Sequence, residues 1–328
     1  MKLIIQIPCL NEAEHLPTTL ADLPREVDGF DEVEWLVVDD GSTDGTADVA
    51  RAHGVDHVVR FRTNRGLAAA FAAGIDACLR LGADVIVNTD ADNQYEGAAV
   101  ARLVRPILDG DADVVVGDRD TGNVEEFSAT KRALQRLGTS VVRRLSRLDV
   151  ADATSGFRAY DREAAYGLVV TTRYTYTLET LVQAGRRNLA LANVPVGRNS
   201  VERPSRLFSS TGGYVRRNGL ALFRIWSYYS PLRLFWSLAV LFGIAALAVW
   251  IPFLIDYIPD GTAGRTQSVI LGAVFALTSV QLFSLGLLAD QIASLRTITA
   301  EALTRVRRLD HRHDRERDRE AGPPYGSP

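Results

Sequence analysis

Two long segments without charged residues most constrain how this chain can fold. They cover residues 234–255 and 269–289. Each segment is long enough to cross, as a helix, a hydrocarbon core about 30 Å thick. Two buried core helices are the alternative, but the rest of the chain has little with which to cover two helices that are apolar on every side. We therefore predict a two-helix transmembrane hairpin.

Arginines around the two apolar segments predict their orientation. The loop between the segments carries a single arginine, Arg265, whereas both outer flanks are rich in arginine. Because basic flanks stay on the cytoplasmic side, we expect a multi-pass protein of the cell membrane with its N-terminal region and both termini in the cytoplasm. The flanking residues are Arg216, Arg217, Arg224 and Arg233 before the first segment, and Arg296, Arg305, Arg307 and Arg308 after the second.

The first 120 residues alternate short apolar runs with helical patterns, which is typical of a mostly parallel sheet covered by helices. The predicted fold class is α/β with a Rossmann-like sheet. Residues 121–212 show no such regular alternation. Predicted strands cover residues 3–7, 35–38, 57–60, 84–88 and 114–117, and predicted helices cover residues 14–23, 46–53, 66–81 and 97–108.

Three further segments complete the predicted organisation. Residues 131–148 have an apolar face and a basic side, so they form either a helix in the membrane interface or a helix packed on its own domain. The aromatic-rich residues 213–229 are expected at headgroup level, and the charged tail from residue 310 is expected to be disordered. The predicted units are an α/β domain (1–212), an interfacial amphipathic helix (213–231), the hairpin (232–292) and a partly disordered cytoplasmic tail (293–328).

Composition excludes some classes of function. The formal net charge of −3 provides no global field for nucleic acid, so we expect no nucleic-acid partner. The two cysteines, Cys9 and Cys78, form neither a metal-binding pair nor a disulfide framework, and they fit a reducing compartment. The apolar run at residues 3–7 is too short for a signal peptide.

Two aspartates at the end of a predicted buried strand are the main candidates for a functional site. Asp90 and Asp92 follow the run at residues 84–88, and ligands of open α/β sheets bind at the carboxyl ends of strands. Two carboxylates this close repel each other unless a cation lies between them. A Mg²⁺ or Mn²⁺ ion bound to a diphosphate suits such oxygen ligands. For the isolated motif, a turn of solvated aspartates is the alternative.

Polar clusters follow two further predicted strands. Asn11 and Glu12 follow the first strand, and Asp39 and Asp40 follow the second. All three acidic clusters therefore emerge at one edge of the sheet. A carboxylate at the position of Asp39 can accept hydrogen bonds from a base N–H or a ribose hydroxyl. Three converging clusters are harder to explain as turns than one, so this edge is predicted to bind a ligand.

Four segments, in this order, resemble the family-2 glycosyltransferases with the GT-A fold. They are P-x-x-N-E at residues 8–12, V-V-D-D-G-S-x-D-G-T at residues 37–46, N-R-G at residues 64–66 and D-A-D-x-Q at residues 90–94. Within that family, residues 155–158, 176–179 and 203–207 resemble the polyprenyl-phosphate (dolichyl-phosphate) hexosyltransferases. The resemblance covers about residues 1–210. Ser205-Arg206 departs from the Ser-Lys usual there, and arginine and lysine bind phosphate with different geometry.

The resemblance implies inverting transfer of a hexose from a UDP- or GDP-linked sugar to the phosphate of a membrane polyprenol. Because that phosphate is already ionised, no strong general base is required. The implied metal ligands for Mg²⁺ or Mn²⁺ are Asp90, Asp92 and Gln94, and the implied nucleotide-binding residues are Pro8, Asn11, Glu12, Asp39, Asp40, Gly66, Asp90 and Ala91. The implied catalytic residues are Asp92 and the phosphate-positioning Arg119, Lys131, Arg203 and Arg206.

Three other functions compete with this interpretation. A processive polysaccharide synthase would carry a Q-x-x-R-W segment, but residues 183–187 lack the tryptophan, and two spans are few for a channel. Transfer to another lipid acceptor would require a general base that is not evident in the sequence. A catalytically silent nucleotide-sugar-binding scaffold is disfavoured because all three implied metal ligands are present. The sequence does not determine the sugar, the nucleotide base of the donor or the length of the polyprenol. The oligomeric state also stays open, and a homo-oligomer is one of the alternatives.

Overall fold

The computed structural model describes residues 1–119, 140, 142–144, 146–170, 176–197, 199, 227, 231–260 and 266–321. The chain divides into two compact units. The first comprises Met1–Arg216 and Ala302–Pro328, and the second comprises Arg217–Glu301. The unit boundaries predicted above, at residues 212, 231 and 292, stay predictions.

A seven-stranded sheet forms the centre of the first unit. The strands are β1 (Lys2–Cys9), β2 (Glu32–Asp39), β3 (His57–Arg60), β4 (Val85–Asn88), β5 (Val114–Asp118), β6 (Arg158–Asp161) and β7 (Leu191–Pro195). Their order across the sheet is β3-β2-β1-β4-β6-β5-β7. Only β6 is antiparallel to its neighbours, β4 and β5, and the other pairs are parallel. The strands β1, β2, β4 and β5 therefore end at the edge where β6 begins.

Helices cover both faces of the sheet, as the alternating pattern predicts. On one face, β1 residues such as Leu3 and Ile5 pack with Leu16 and Leu103. On the other face, Ile4 packs with Phe71. The predicted strands and helices before residue 120 are confirmed, with boundaries shifted by a few residues. The helices are α1 (Leu16–Asp22), α2 (Thr46–Ala52), α3 (Leu67–Arg80), α4 (Ala99–Leu108), α5 (Arg162–Tyr166) and α6 (Tyr176–Arg186).

The segment at residues 131–148 is described only at its end. Val142 is fully buried there, and Leu148 packs against the core beside α3. A Cβ atom on Gly185 of α6 would lie 1.8 Å from the carbonyl oxygen of Ser146, so this glycine permits the close approach. The end of the segment thus packs on its own domain, which is the second interpretation given above. The predicted interfacial helix at residues 213–231 lies almost entirely outside the described residues.

The second unit contains a helical hairpin. Helix α7 (Pro231–Asp260) and helix α8 (Thr266–Ala321) are both long and apolar enough to cross a membrane. They contact each other where Ser279 Oγ donates to the carbonyl oxygen of Ala239 at 2.7 Å and where Phe242 and Phe275 meet edge to face. Of the most apolar stretch of each helix, only 17% is buried in α7 and only 11% in α8. The alternative of two buried core helices therefore does not hold.

Helix α8 is longer than the sequence predicts. It continues to Ala321. The prediction that the tail is disordered from residue 310 is therefore wrong for residues 310–321. The C-terminal part of α8 belongs to the first unit and packs on α3 and α5. Its contacts are Thr304 Oγ1 to the Tyr166 carbonyl oxygen at 3.3 Å, Arg307 to the Leu168 carbonyl oxygen at 3.1 Å, Arg308 to Glu163 at 2.5 Å, and buried His311 to Asp76 at 3.3 Å.

Candidate active site

Hydrogen bonds join the loops that follow β1 and β2. The backbone N–H of Asn11 donates to Ser42 Oγ at 2.9 Å, and Asn11 Oδ1 accepts from the N–H of Thr43 at 2.9 Å. The N–H of Glu12 donates to Thr46 Oγ1 at 3.0 Å. Asn11 adopts a left-handed conformation, with φ of 53°, where the chain turns away from the strand. These bonds hold the first two polar clusters side by side at one edge of the sheet.

Asp39 presents a buried acceptor at this edge. Its side chain is fully buried, and Oδ1 accepts from the N–H of Ser42 at 2.7 Å. Its Oδ2 lies 3.1 Å from Arg60 Nε, but no donor among the described residues is aligned to form a hydrogen bond with Oδ2. A cleft of about 310 Å³ lies alongside, lined by Gly41, Ser42, Arg60, Phe61 and Arg62. A buried carboxylate oxygen beside a cleft suits an N–H or hydroxyl donor from a ligand.

Asp40 holds the loop that precedes α3. Its two carboxylate oxygens accept from the backbone N–H groups of Arg65, at 2.7 Å, and Gly66, at 2.9 Å. Gly41 follows with φ of +74°, and a Cβ atom there would lie 2.6 Å from the carbonyl carbon of Thr63. The structure therefore uses the Asp40 carboxylate to position the segment at residues 64–66. Direct nucleotide contacts by Asp40 and Gly66 stay predictions.

Asp90 and Asp92 follow β4 near the middle of the sheet. Burial and the negative charge of Asp92 raise the pKa of Asp90 to about 6, although the positive charge of Arg119 and a hydrogen bond with Tyr95 oppose this shift. Gly156 leaves space for the Asp90 carboxylate, because a Cβ atom there would lie 2.8 Å from Asp90 Oδ2. The two carboxylates are thus close enough to repel each other, as the sequence predicts.

Gln94 orients Asp92. Its backbone N–H donates to Asp92 Oδ1 at 3.2 Å, and its Nε2 donates to Asp92 Oδ2 at 2.8 Å. The carbonyl oxygen of Ala91 accepts from Thr19 Oγ1 of α1 at 2.9 Å, which fixes the backbone between the two aspartates. This segment is therefore held both by its own side chains and by a neighbouring helix.

The oxygen donors at this position fit a hard divalent cation. Carboxylate and amide oxygens are ligands of Mg²⁺ and Mn²⁺, and a cation would offset the repulsion between Asp90 and Asp92. Among the described residues, no group of three or more His, Cys, Asp or Glu side chains could hold a metal ion. Oxygen atoms of a bound diphosphate would have to complete the coordination.

Arg119 is held beside the aspartates by a buried ion pair. Its Nε donates to Asp152 Oδ2 at 2.7 Å, and Nη2 donates to Thr154 Oγ1 at 2.9 Å. The other oxygen of Asp152 accepts from the N–H of Ser155 at 3.1 Å. Burial opposes ionisation of Asp152, but the charge and the hydrogen bond of Arg119 keep its pKa below the usual value. Arg119 therefore remains a fixed cation whose charge acts on Asp90.

A buried hydrogen-bonded chain below the aspartates could not be found from the sequence. Gln6 Nε2 donates to Asn88 Oδ1 at 2.8 Å, and Asn88 Nδ2 donates to the Gly156 carbonyl oxygen at 2.7 Å and to Tyr176 Oη at 3.0 Å. Tyr176 stacks on Phe71 of α3, with ring centroids 4.0 Å apart. The only sequence signal was a polar residue, Asn88, at the end of an apolar strand. Its partners are distant in sequence.

The structure brings most of the predicted site residues to one edge of the sheet. Pro8 differs, because it is buried within β1 and pairs with Val38 of β2. Lys131, Arg203 and Arg206 lie outside the described residues. The predicted residues that converge on the edge are Asn11, Glu12, Asp39, Asp40, Gly66, Asp90, Ala91, Asp92, Gln94 and Arg119.

Two models of known protein families match this chain. The model of Glycosyl transferase family 2 matches residues 4–168, and the model of the GtrB C-terminal hairpin matches residues 230–295. The chain belongs to glycosyl transferase family 2 and is a glycosyltransferase. The hairpin match and the two apolar helices together indicate membrane association.

Individual relatives support this assignment. An undecaprenyl-phosphate mannosyltransferase of Micrococcus luteus is 30% identical over 66% of this chain and 90% of its own. A dolichyl-phosphate hexose transferase of Haloferax volcanii is 31% identical over 57% of this chain and 78% of its own. A glucosyl-3-phosphoglycerate synthase from Mycobacterium tuberculosis, solved with Mn²⁺ and UDP, has a TM-score of 0.53 and 25% identity, and covers 67% of this chain and 79% of its own. These similarities confirm the predicted GT-A fold.

Proposed function

We propose that this glycosyltransferase moves a hexose from a nucleoside-diphosphate sugar to the phosphate of a membrane polyprenol, with inversion at the anomeric carbon. The observation that carries the proposal is the Asp90–Asp92 pair at the sheet edge. The same chain contains a hairpin of apolar helices. Relatives named for transfer to undecaprenyl phosphate and for dolichyl-phosphate hexose transfer support a lipid phosphate as acceptor.

The cleft beside Asp39 would bind the nucleoside of the donor. Asp39 Oδ2 is buried and lies next to Arg60. The carboxylate could accept a hydrogen bond from a base, and the guanidinium could donate one to it. Asn11 and Glu12 lie on the same edge of the sheet. Uracil and guanine both present an N–H group and a carbonyl oxygen to such a pair. A UDP-linked or a GDP-linked donor is therefore compatible with the proposal.

Asp90, Asp92 and Gln94 would hold Mg²⁺ or Mn²⁺ together with the donor diphosphate. The bound cation would neutralise the diphosphate and stabilise it as a leaving group. The protein contributes the orientation of the ligands, because Gln94 fixes both oxygens of Asp92. Gly156 contributes space, because a side chain there would displace the Asp90 carboxylate.

Arg119 would position the acceptor phosphate against the donor. An oxygen of the acceptor phosphate forms a bond to the anomeric carbon, while the bond from that carbon to the donor phosphate oxygen breaks. The nucleoside diphosphate leaves with the electron pair, so an α-linked donor gives a β-linked product. The attacking oxygen is already ionised, so no proton has to be removed. Lys131, Arg203 and Arg206 are proposed to assist Arg119 in binding the acceptor.

The proposed site of action is the cytoplasmic face of the cell membrane. A polyprenol is confined to the bilayer, so an enzyme that uses it must reach the headgroup level. Two membrane-crossing helices, with arginines on their outer flanks, would place the catalytic unit in the cytoplasm. The predicted interfacial helix at residues 213–231 would lie along the membrane surface there.

A labelling assay tests this function. Membranes that contain the full chain are incubated with a panel of radiolabelled nucleotide sugars, polyprenyl phosphate, and Mg²⁺ or Mn²⁺. We expect one donor to label a glycolipid that is cleaved by mild acid, and we expect a chelator to abolish the labelling. Parallel reactions replace polyprenyl phosphate with diacylglycerol or with soluble 3-phosphoglycerate. Labelling of either replacement, with none of polyprenyl phosphate, would show that the proposed acceptor is wrong.

A further inference from the structure

The middle part of helix α8 carries an apolar stripe that is exposed. Between Leu285 and Leu309 the sequence follows a seven-residue repeat whose first and fourth positions, a and d, are mostly apolar. All of these residues are exposed, with Leu295 at 63% and Leu309 at 62%. The a positions are Leu285, Ile292, Thr299 and Val306, and the d positions are Leu288, Leu295, Ala302 and Leu309.

The buried side of this helix is the opposite one. Thr304 and His311 occupy the f position of the repeat, which lies away from a and d, and both are buried. They contact the chain's own catalytic unit at Tyr166 and Asp76. The polar face of the helix therefore already packs on the first unit of the same chain. Its apolar face is left exposed, and an exposed apolar stripe marks a surface that meets a partner.

Lipid cannot cover most of this stripe. Helix α8 has 56 residues, which is about 84 Å at 1.5 Å per residue, whereas the hydrocarbon core is about 30 Å thick. The uncharged span ends at Ala289, so the stripe from Ile292 to Leu309 lies beyond it. That part of the helix carries Asp290, Arg296, Glu301, Arg305, Arg307, Arg308 and Asp310.

The residues that flank the stripe suit a second copy of the same helix. Two copies inserted in one membrane in the same way would run parallel. In a parallel two-stranded coiled coil, each g residue lies opposite the e residue of the next repeat on the partner. Here one such pair is apolar, one is polar and one is oppositely charged. The pairs are Ile298 with Leu303, Gln291 with Arg296, and Arg305 with Asp310.

The one hydroxyl in the stripe is compatible with burial. Thr299 Oγ1 donates to the carbonyl oxygen of Leu295, one turn earlier in the same helix, at 3.0 Å. Covering Thr299 with a partner helix would therefore leave no unsatisfied donor. Membrane anchoring also raises the effective concentration of a second copy, which favours pairing by a short segment.

We propose that residues 292–309 of α8 pair with the same residues of a second copy, as a parallel two-stranded coiled coil that begins where the helix leaves the membrane. The inference rests on the membrane placement proposed above and not on the identity of the sugar or the acceptor. The assembled form of the protein is then at least a dimer whose contact lies outside the catalytic site.

Cysteine cross-linking in native membranes tests the pairing. The natural Cys9 and Cys78 are buried, at 3% and 0% exposure, so the unmodified full chain is a suitable background. Leu295→Cys and Val306→Cys should each give a disulfide-linked dimer under mild oxidation. The matched control Thr297→Cys lies at an exposed f position on the far side of the helix. It should give at least about tenfold less dimer, since its sulfur atoms would be out of reach.

A charge exchange provides the second test. In the Leu295→Cys background, Arg305→Asp or Asp310→Arg alone should reduce cross-linking, and the two changes together should restore it. Equal cross-linking at positions 295, 306 and 297 would overturn the proposal. So would quenching of a Val306→Trp variant by brominated lipid, because lipid would then cover the stripe. If the cross-linking pattern holds and the transfer assay fails, the proposed function is wrong and the pairing stands.

Discussion

At the scale of single residues, the site depends on carboxylates that the protein holds in fixed positions. Asp90 is buried beside Asp92, and its raised pKa reflects that burial and that neighbour. Gln94 and Arg119 then restrain the two sides of this charged cluster. The aspartates are therefore already in place to bind a cation, and Arg119 is already in place to bind a phosphate.

Asp92→Ala should abolish sugar transfer while the protein stays folded. The change removes both oxygens that Gln94 orients. We expect a loss of at least about 100-fold, because changes outside the direct ligands of a metal already cost about 10–100-fold. The measurement is the initial rate of transfer, with circular dichroism as a check on folding. Asp48→Ala, on the exposed surface of α2, is the control, and near-normal activity of Asp92→Ala would remove the metal-site assignment.

Asp152→Asn should weaken use of the acceptor more than binding of the donor. Asp152 is 1% exposed and fixes the Arg119 guanidinium, so the neutral variant would loosen the proposed phosphate ligand. A displacement of about 1 Å in a positioned group can cost about 100-fold in rate. We expect the KM for polyprenyl phosphate to rise about tenfold or more, with donor binding unchanged.

The control for Asp152→Asn is Asp149→Asn. Asp149 pairs with Arg143 only at 3.4 Å, and its side chain is 92% exposed. It should leave both KM values unchanged. An Asp152→Asn enzyme with an unchanged KM for polyprenyl phosphate would contradict the role given to Arg119.

At the scale of elements, helix α3 links the core to the site. Its N-terminal loop is held by Asp40, and its Phe71 stacks on Tyr176. Gly74 of the same helix faces β1, where a Cβ atom would lie 2.2 Å from Gln6 Oε1. Gln6 in turn holds Asn88, the last residue of β4. Packing of α3 against the sheet therefore determines the position of the residues below Asp90.

Gly74→Ala should lower both stability and activity. Alanine is the better helix former, but the added methyl group collides with the buried Gln6 and Val38. Overpacking of this kind costs about 1–3 kcal/mol. Thermal unfolding of the full chain in detergent measures the first effect, and the transfer rate measures the second. Gly82→Ala, which has φ of +86° and open space around it, should cost about 1 kcal/mol and leave the transfer rate unchanged. Equal transfer rates for the two variants would refute the coupling.

At the scale of the whole molecule, the chain returns to its first unit after the hairpin. Residues 302–311 of α8 pack on α3 and α5, and His311 is fully buried there. The catalytic unit is therefore built from both ends of the sequence. Removing the C-terminal segment would uncover surface that belongs to the folded unit.

His311→Asp should destabilise the full chain, whereas His313→Asp should not. An aspartate at 311 would be buried within reach of Asp76, and an uncompensated buried charge costs about 3 kcal/mol or more. His313 is exposed on the same helix, and surface changes stay within about 0.5 kcal/mol. Thermal unfolding in detergent, with proteolysis of residues 302–321 as a second probe, separates the two. Equal midpoints for both variants would mean that this segment does not dock.

Local patterns in the sequence predict a large part of the fold and several of the residues that meet at the candidate site. Alternation of apolar runs and helical patterns is confirmed for β1 to β5 and for α1 to α4. Asp39 and Asp90 were found because a polar residue directly after an apolar strand is visible locally. The strands β6 and β7 were missed, because their sequences contain charged or polar residues and form no continuous apolar run like those of β3, β4 and β5.

The class of fold, the edge that carries the acidic clusters and the two apolar spans follow from local sequence, because each depends on the periodicity or composition of neighbouring residues. Which partners those residues contact depends on how the whole chain packs. Asn88 meets Tyr176 across 88 positions of sequence, and Arg119 meets Asp152 across 33. Such contacts leave no local pattern in the sequence, because they depend on how elements that are distant along the chain pack together.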